Sequence, residues 1–233
     1  MADSTKKPLH IAIDGPVASG KSTVCALVAR ELDLFYVDTG IMYRAVALAA
    51  LRQDADIESD AACGAIAEHL PLHLEPPTAH HQQPTVYLNG EDVTDRIREA
   101  DVNHIVSRVS SHPAVRRAMH VVHRKIAAHQ GVIMAGRDIA EIVLPQAQVK
   151  ILLTASLDVR VKRRAMEIAQ KKPGAIIDLD ALRTEIERRD ALDSVQMHSP
   201  PETIIIDTDS LTEAQVVARI LEVVLEVVDE RTR

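Results

Sequence analysis

The segment Gly15–Thr23 constrains the fold of this chain more than any other part of the sequence. It reads Gly-Pro-Val-Ala-Ser-Gly-Lys-Ser-Thr, follows the apolar run Leu9–Ile13, and opens a helical pattern that begins at Lys21. A glycine-containing turn between a buried strand and a helix directs backbone N–H groups, and the positive end of the helix, at an anionic phosphate. Lys21 is placed to reach terminal phosphates, and Ser22 or Thr23 can offer a hydroxyl to magnesium. The sequence therefore predicts a phosphate-binding loop; the alternative is a glycine turn that only happens to precede a lysine.

Composition limits the partners of the chain. The 233 residues carry a net charge of −7, and only 2% of them are aromatic. Duplex DNA and anionic membranes favour an excess of Lys and Arg, and single-strand binders need aromatic stacking platforms. No apolar run is long enough to cross a membrane, and Cys25 and Cys63 lack disulfide or metal spacing. We therefore expect a cytoplasmic protein, a monomer with reduced cysteines, that binds small molecules and neither nucleic acid nor a membrane.

Short apolar runs alternate along the chain with longer helical patterns. The predicted strands are Ile11–Ile13, Leu34–Val37, Val132–Ala135, Val149–Thr154 and Thr203–Ile206. The predicted helices lie near 21–32, 41–52, 101–129, 156–171, 178–191 and 212–228. This alternation predicts an α/β fold of the P-loop NTPase type, with a parallel five-stranded sheet and helices on both faces.

Two regions interrupt the alternation. The first, Ala55–Arg98, contains the β-patterned run Thr85–Leu88 followed by Asn89-Gly90, which predicts a tight turn and a small antiparallel sheet. The second, Lys162–Pro201, is rich in Arg and Lys and lies between two strands. This second region is either a lid over the ligand or a solvated helical hairpin that touches no ligand.

Two arginines follow predicted strands. Arg44 lies in the segment Asp38–Arg44, and Arg137 lies in Gly136–Asp138. Ligands of parallel sheets collect at the carboxyl ends of the strands, and guanidinium groups bind phosphate bidentately. Arg44 and Arg137 therefore predict a site for a second phosphate group, although either could instead be a helix cap or a salt-bridge partner.

Several further motifs resemble those of the bacterial cytidylate kinases, in the nucleoside-monophosphate kinase group. The likeness runs from Ile11 to about Val217. Beyond the phosphate-binding loop, its motifs are Ile13–Pro16, Asp38–Arg44, Leu88–Thr94 with Ile97-Arg98, Pro113–Arg116, Gly136–Ile139, and Thr154–Ser156 with Arg163-Arg164. The phosphate-binding loop is common to many NTPases, whereas Leu88–Thr94 and Tyr43-Arg44 narrow the resemblance to the cytidylate kinases.

The resemblance implies transfer of the terminal phosphoryl group of ATP to CMP or dCMP, with Mg²⁺. The ATP-binding residues would be Gly15, Ser19, Gly20, Lys21, Ser22, Thr23, Arg163 and Arg164, with Ser22 also a ligand of Mg²⁺. The residues that bind the acceptor nucleotide would be Thr39, Tyr43, Arg44, Ser107, Arg116, Arg137, Asp138, Arg189 and Asp193. Of these, Arg44 and Arg137 would hold the CMP phosphate, while Ser107, Arg116 and Asp138 would read the cytosine edge. Lys21, Arg137 and Arg189 would be catalytic.

The resemblance also implies one kinase domain, 9–233, after a flexible segment 1–8. Within it, 55–105 would be the insert that binds the monophosphate, and 160–200 would be the lid, which begins with Arg160.

Three positions depart from the family pattern. Ala135 replaces an acidic residue that can organise magnesium, Gln196 replaces a lid arginine, and the connection Ser199–Thr203 is short. Two alternatives therefore stay open: a kinase of the same architecture for another small acceptor, and a nucleotide-binding module without turnover.

The sequence also contains three pairs of histidines, although phosphoryl transfer needs no histidine. The pairs are His69 with His73, His80 with His81, and His120 with His123. None has a third metal ligand nearby, so we expect all six to be surface residues.

Overall fold

The computed structural model describes residues 8–75 and 84–230. Their strands are β1 (His10–Asp14), β2 (Phe35–Asp38), β3 (Leu72–Glu75), β4 (Thr85–Leu88), β5 (Glu91–Asp92), β6 (Val132–Gly136), β7 (Val149–Thr154) and β8 (Ile204–Asp207). Their helices are α1 (Lys21–Glu31), α2 (Thr39–Arg52), α3 (Asp60–Glu68), α4 (Ala100–Ser111), α5 (Pro113–Ala127), α6 (Leu157–Lys171), α7 (Leu179–Asp193) and α8 (Glu213–Glu230). His80, His81 and residues 1–7, for which predictions were made, lie outside the described residues.

Contacts divide the chain into two units. The first comprises the described parts of Met1–Tyr36 and Gly131–Arg233, and the second is Val37–Gln130. The second unit is wider than the insert of residues 55–105 that the sequence predicts, because it also includes α2, the end of α4 and all of α5.

A five-stranded sheet of order β2-β6-β1-β7-β8 organises the first unit. Strand β1 pairs in parallel with β6 and with β7, and β7 pairs in parallel with β8. In this register Asp14 lies beside Gly136, so the segments that follow β1 and β6 leave the same carboxyl edge of the sheet. The parallel α/β fold predicted from the apolar runs is confirmed.

The core of this unit consists almost entirely of aliphatic side chains. Ile11 and Ile13 of β1, Ile151 of β7 and Ile220 of α8 are fully buried. Helices α1 and α8 pack against each other beside these strands. Burial of such side chains contributes about 1.5–3 kcal/mol each, which explains how a sheet protein forms a core with few aromatic residues.

In the second unit, helices surround α2, most of which is buried. Helix α2 packs on α4, and α3 packs on α5. Strands β3, β4 and β5 form the antiparallel sheet that the sequence predicts. The turn between β4 and β5 has positive φ angles of 53° at Asn89 and 78° at Gly90, as a tight hairpin requires.

Two predicted features of this unit are corrected by the structure. The single helix predicted over 101–129 is two helices, α4 and α5, separated at His112. Pro113 disfavours helical geometry at the residue before it and begins α5 at the position where proline is tolerated. Helix α3 was not among the predicted helices, although Ser59 caps it by accepting a hydrogen bond from the Ala62 N–H.

The region predicted as a lid or a hairpin is a pair of contacting helices, α6 and α7, in the first unit. At the connection between them, Ile176 is fully exposed and Leu179 is 53% exposed. Across residues 8–75 and 84–230, every helix is either too short or too polar to span a bilayer.

Candidate active site

The loop between β1 and α1 requires glycine at two positions, Gly15 and Gly20. A Cβ atom on Gly15 would lie 2.3 Å from the Leu153 carbonyl oxygen, so glycine is required there by close approach. Gly20 adopts a left-handed conformation with φ of 93° immediately before α1. The first turn of α1 has neither a capping side chain nor an acidic residue. Its backbone N–H groups and the helix dipole therefore favour an anion.

Lys21 lies inside this loop. Its side chain is largely buried, and Nζ donates to the Gly15 carbonyl at 2.6 Å, to the Pro16 carbonyl at 2.7 Å and to Ser19 Oγ at 3.3 Å. The ammonium group therefore sits among the groups that would surround a phosphate in the loop. Ser22 and Thr23 are exposed in the first turn of α1, where their hydroxyls can be reached by a ligand.

Arg160 and Arg163 of α6 connect the base of the helical pair to this loop. Arg160 is buried and donates to both carboxylate oxygens of Asp190, at 3.0 and 2.6 Å, and to the Val17 carbonyl at 3.3 Å. Arg163 donates to the Thr208 carbonyl at 2.6 Å and, at 3.5 Å, to the Ser19 carbonyl. These contacts fix the start of α6 against the loop.

Arg164 has different surroundings. It donates to Glu167 at 2.6 Å, one turn along α6, and its side chain is 31% exposed. The structure therefore places Arg163 next to the loop and Arg164 on the helix beyond it.

A second basic group of the first unit lies at the end of β6 and on α7. Arg137 Nε donates to Asp193 Oδ2 at 2.8 Å, and the two side chains are 19% and 10% exposed. Arg189 lies near Arg137. Burial lowers the pKa of the Arg189 guanidinium, and the charge of Arg137 lowers it further. The buried Nε of Arg189 has no hydrogen-bond acceptor within the described part of the chain. Asp193 pairs with Arg137, and its charge also acts on Arg189. The two neighbouring guanidinium groups carry positive charge that suits an anion.

Asp138 and the departures from the family pattern lie near this basic group in sequence. Asp138 is 5% exposed. Ala135 is buried in the apolar core, and Gln196 ends a short turn of 3₁₀ helix after α7. Within residues 8–75 and 84–230, no cluster of three His, Cys, Asp or Glu side chains could hold a metal ion.

In the second unit, Arg44 is positioned by an asparagine that the sequence analysis missed. Arg44 NH1 donates to Asn103 Oδ1 at 2.6 Å and to the Ile97 carbonyl at 3.4 Å. Asn103 Nδ2 in turn donates to the carbonyls of Arg98 and Glu99. Asn103 lies 59 positions from Arg44 in the sequence, so no local pattern could have revealed the pair.

Among the other predicted residues of this unit, Arg116 lies against the ring of Tyr43. The Arg116 guanidinium lies 5.4 Å from the centre of the Tyr43 ring, a cation–π distance, and NH1 donates to the Ser110 carbonyl at 3.2 Å. Thr39 and Ser107 are buried. Asp38 accepts a hydrogen bond from the Gly40 N–H and so caps the start of α2.

One of the predicted surface histidines lies in the interior. His123 is 0% exposed, and its ring meets the Tyr43 ring edge to face at 5.9 Å between centroids. The prediction was wrong because it counted histidine types and spacing, whereas α5 turns this residue inward on the same face as Val115 and Met119. His69 and His73 are exposed, as predicted.

Comparison with known proteins identifies the family to which this chain belongs. The cytidylate kinase family model matches residues 11–226. A cytidylate kinase of Geobacillus sp. strain WCH70 is 44% identical over 94% of this chain and 97% of its own length. A cytidylate kinase of Geobacillus thermodenitrificans strain NG80-2 is 45% identical over 95% and 98%. The crystal structure of an uncharacterized protein from Eubacterium ventriosum shares the fold, with a TM-score of 0.50 at 11% identity over 92% and 96% of the two chains. With a phosphate-binding loop in its required context and a family match along nearly all of its length, this chain belongs to the cytidylate kinase family.

Proposed function

We propose that this protein transfers the terminal phosphoryl group of ATP to CMP or dCMP, giving ADP and CDP or dCDP. Family membership across residues 11–226 is the observation that carries the proposal. The geometry of the loop after β1 supports it, since Lys21 and the first turn of α1 converge on a position suited to phosphate.

The loop would bind the phosphates of ATP through its backbone N–H groups and through Lys21. A phosphate there would replace the loop carbonyls as the partner of the Lys21 ammonium, a charge-assisted contact stronger than the neutral ones it exchanges. Gly15, Ser19, Gly20, Lys21, Ser22 and Thr23 would thus form the ATP site, with Arg163 and Arg164 of α6 beside it.

Magnesium fits the residues present. The Ser22 hydroxyl is exposed at the start of α1, and oxygen ligands suit this ion. The ion retains waters and commonly binds through one or two protein groups plus substrate phosphates, which needs no cluster of carboxylates. When bound, it would neutralise charge on the transferring phosphates.

Arg44 and Arg137 would bind the phosphate of the acceptor. Asn103 holds the Arg44 side chain in place, so less conformational entropy is lost on binding. Arg137 pairs with Asp193 and lies near Arg189, and an additional anion would balance the positive charge of these two guanidinium groups. Because charge spreads over the equatorial oxygens during phosphoryl transfer, guanidinium groups at this position would lower the barrier.

The cytosine base would be read by polar groups of Ser107, Arg116 and Asp138. Ser107 and Asp138 are buried, so a base that left them without a partner would bind less well. Tyr43 supports the guanidinium of Arg116 through its ring face. Thr39 and Asp193 complete the proposed acceptor site.

The proposal also covers the cellular location and the oligomeric state of the protein. A cytoplasmic location is supported by Cys25 and Cys63, two buried thiols of the kind that persists in a reducing compartment. We also propose a monomer, which size-exclusion chromatography with light scattering at several concentrations would test against the chain mass of 25.6 kDa.

Direct identification of products tests the proposed reaction. Purified protein with ATP, MgCl₂ and CMP should form CDP and ADP in equal amounts by anion-exchange chromatography. Omission of CMP should abolish ADP formation, and omission of MgCl₂ should reduce it strongly. Binding of both nucleotides without product would instead favour the nucleotide-binding module, an alternative that Ala135 and Gln196 keep open.

A further inference from the structure

Asp14 is a buried carboxylate that the proposed reaction does not use directly. It ends β1 and is 1% exposed. Its neighbour across the sheet is Gly136, the last residue of β6. The chain then continues from Gly136 into Arg137 and Asp138, two of the proposed acceptor-binding residues.

The carboxylate of Asp14 binds the backbone just beyond those two residues. It accepts hydrogen bonds from the Ile139 N–H and the Ala140 N–H, both at 2.9 Å and both buried. These N–H groups begin the π-helical segment Ile139–Val143, whose preceding residue, Asp138, does not cap it with its own side chain. The first N–H groups of a helical segment need an acceptor from outside it. Asp14 supplies that acceptor from 125 residues earlier in the chain.

The segment Gly136–Ala140 is therefore held at both ends. Strand pairing with β1 fixes Gly136, and the Asp14 carboxylate fixes Ile139 and Ala140. Only Arg137 and Asp138 lie between these anchors. A shift of about 1 Å at such residues can reduce catalysis by about 100-fold.

We propose that Asp14 is a positioning residue: its carboxylate fixes the backbone on the far side of Arg137 and Asp138 and so holds both side chains in place for the acceptor nucleotide. This inference rests on the proposed function, because it concerns affinity for CMP. It assigns Asp14 no contact with either nucleotide.

Burial shifts the ionisation equilibrium of Asp14. Burial raises the pKa of its carboxyl to about 6, the charge of Asp138 adds to this effect, and the hydrogen bonds from Ala140 and Ile139 and the charge of Lys21 oppose it. The ionised carboxylate is therefore unfavourable for folding at neutral pH. The charge costs stability, but it makes the carboxylate an acceptor for both the Ile139 and the Ala140 N–H groups, one of which most neutral side chains would leave without a partner.

The substitution Asp14→Asn tests the proposal. Asparagine has the same shape, but its NH₂ group faces one of the two N–H donors, so only one of the two hydrogen bonds survives. We expect the KM for CMP to rise about 10–100-fold, and to rise at least about fivefold more than the KM for ATP. The unfolding temperature should not fall. Asp207→Asn is the matched control, because Asp207 ends β8 of the same sheet and accepts the Asp209 N–H in an exposed turn.

The outcomes separate this proposal from a structural role and from the proposed function. A fall in unfolding temperature with both KM values unchanged would overturn it and make Asp14 a structural residue. Equal increases in the two KM values would overturn it as well. Failure of the wild-type protein to phosphorylate CMP would refute the proposed function instead, and amide exchange would still test the contact itself.

Amide hydrogen exchange of the wild-type protein gives that independent readout and needs no variant to fold. Protonation of Asp14 replaces an acceptor oxygen with a hydroxyl donor. Protection factors of the Ile139 and Ala140 amides should therefore decrease as the pH falls through about 6, while those of β1 stay constant. Protection that does not change between about pH 5 and 8, the range of this titration, would contradict the role of the carboxylate.

Discussion

At the scale of single residues, Lys21 carries the sharpest prediction. Its ammonium lies within the phosphate-binding loop and donates to carbonyls of the loop itself. Loss of the side chain would therefore affect the loop rather than a remote part of the fold. Lys21→Ala should lower kcat by about 10²–10³-fold, because the lysine would stabilise charge that develops on the transferred phosphoryl group. Steady-state kinetics at saturating CMP and magnesium ATP measure this change.

Lys150→Ala is the matched control for that substitution. Lys150 has the same burial as Lys21, but its Nζ pairs with Glu202 at 2.6 Å and lies outside the proposed site. Its loss should lower stability and leave kcat within about twofold of the wild type, as expected for an independent site. Near-normal turnover of Lys21→Ala would show that the loop has been assigned wrongly.

Asp14 gives a prediction about stability and pH. Its pKa rises on folding from the usual 3.8 to about 6, so ionisation opposes folding. The stabilising contribution of the neutral form is complete below pH 3.8 and is lost as the pH rises through about 6. Asp14→Asn should therefore raise the free energy of unfolding at pH 8 by up to about 3 kcal/mol, and by less at pH 5.

Urea denaturation at the two pH values measures this difference, with Asp207→Asn as the control. A variant that is less stable than the wild type by the same amount at both pH values would refute the pH argument.

Gln196 and Ala135 lead to a third prediction about residues. An arginine on the transferring phosphoryl group can contribute about 10³–10⁵-fold, although other lid arginines can replace part of that effect. We expect Gln196→Arg to raise kcat at least about tenfold and Ala135→Asp to raise it less, since Ala135 is 2% exposed in an apolar core and a carboxylate there is costly. Comparison of the wild type, both single variants and the double variant tests this. Unchanged kcat in all three variants would mean that the departures are harmless.

At the scale of elements, the sequence predicted the strands and helices that have a clear local periodicity. Strands such as β7 and helices such as α6 begin and end within a residue or two of their predicted bounds. The turn at Asn89-Gly90 was predictable because few residues adopt its positive φ angles. The break at His112 was missed because apolar residues recur at helical spacing on both sides of it, although Pro113 disfavours helical geometry at the residue before it.

The candidate site was predictable only in part for a related reason. Motifs with local spacing predicted Lys21, in the loop before α1, and Arg137, directly after β6. Contacts between distant segments left no local pattern, so Asn103 beside Arg44, His123 beside Tyr43 and Asp14 beside Ile139 required the structure.

The pair of helices α6 and α7 provides the prediction at this scale. Their bases are fixed through Arg160 and Asp190, whereas the connection beyond them exposes Ile176 fully. If 160–200 is a lid, bound phosphates would supply the charge that its arginines attract. Hydrogen exchange around Arg164 and around Ile176 should slow on addition of a bisubstrate nucleotide mimic, while exchange at Arg160 and Asp190 changes little. No change in exchange at any of these sites would indicate a static helical hairpin.

At the scale of the whole molecule, the residues proposed to bind the nucleotides are distributed over the two units. The first holds the phosphate-binding loop and the Arg137, Asp193 and Arg189 group, and the second holds Arg44 and the Arg116 contact with Tyr43. The central claim about these residues is that they favour CMP and dCMP over other acceptors.

Internal competition between acceptors tests that claim most directly. Equimolar CMP, dCMP, UMP, AMP and GMP would share one reaction with limiting ATP labelled in its γ-phosphate, so that each diphosphate formed carries the label. Early label ratios equal the ratios of kcat/KM. The account predicts that labelled CDP and dCDP exceed labelled ADP and GDP by about 10–100-fold, with UDP between them, since a wrong base leaves buried polar groups without partners. Equal labelling of CDP and ADP would contradict it.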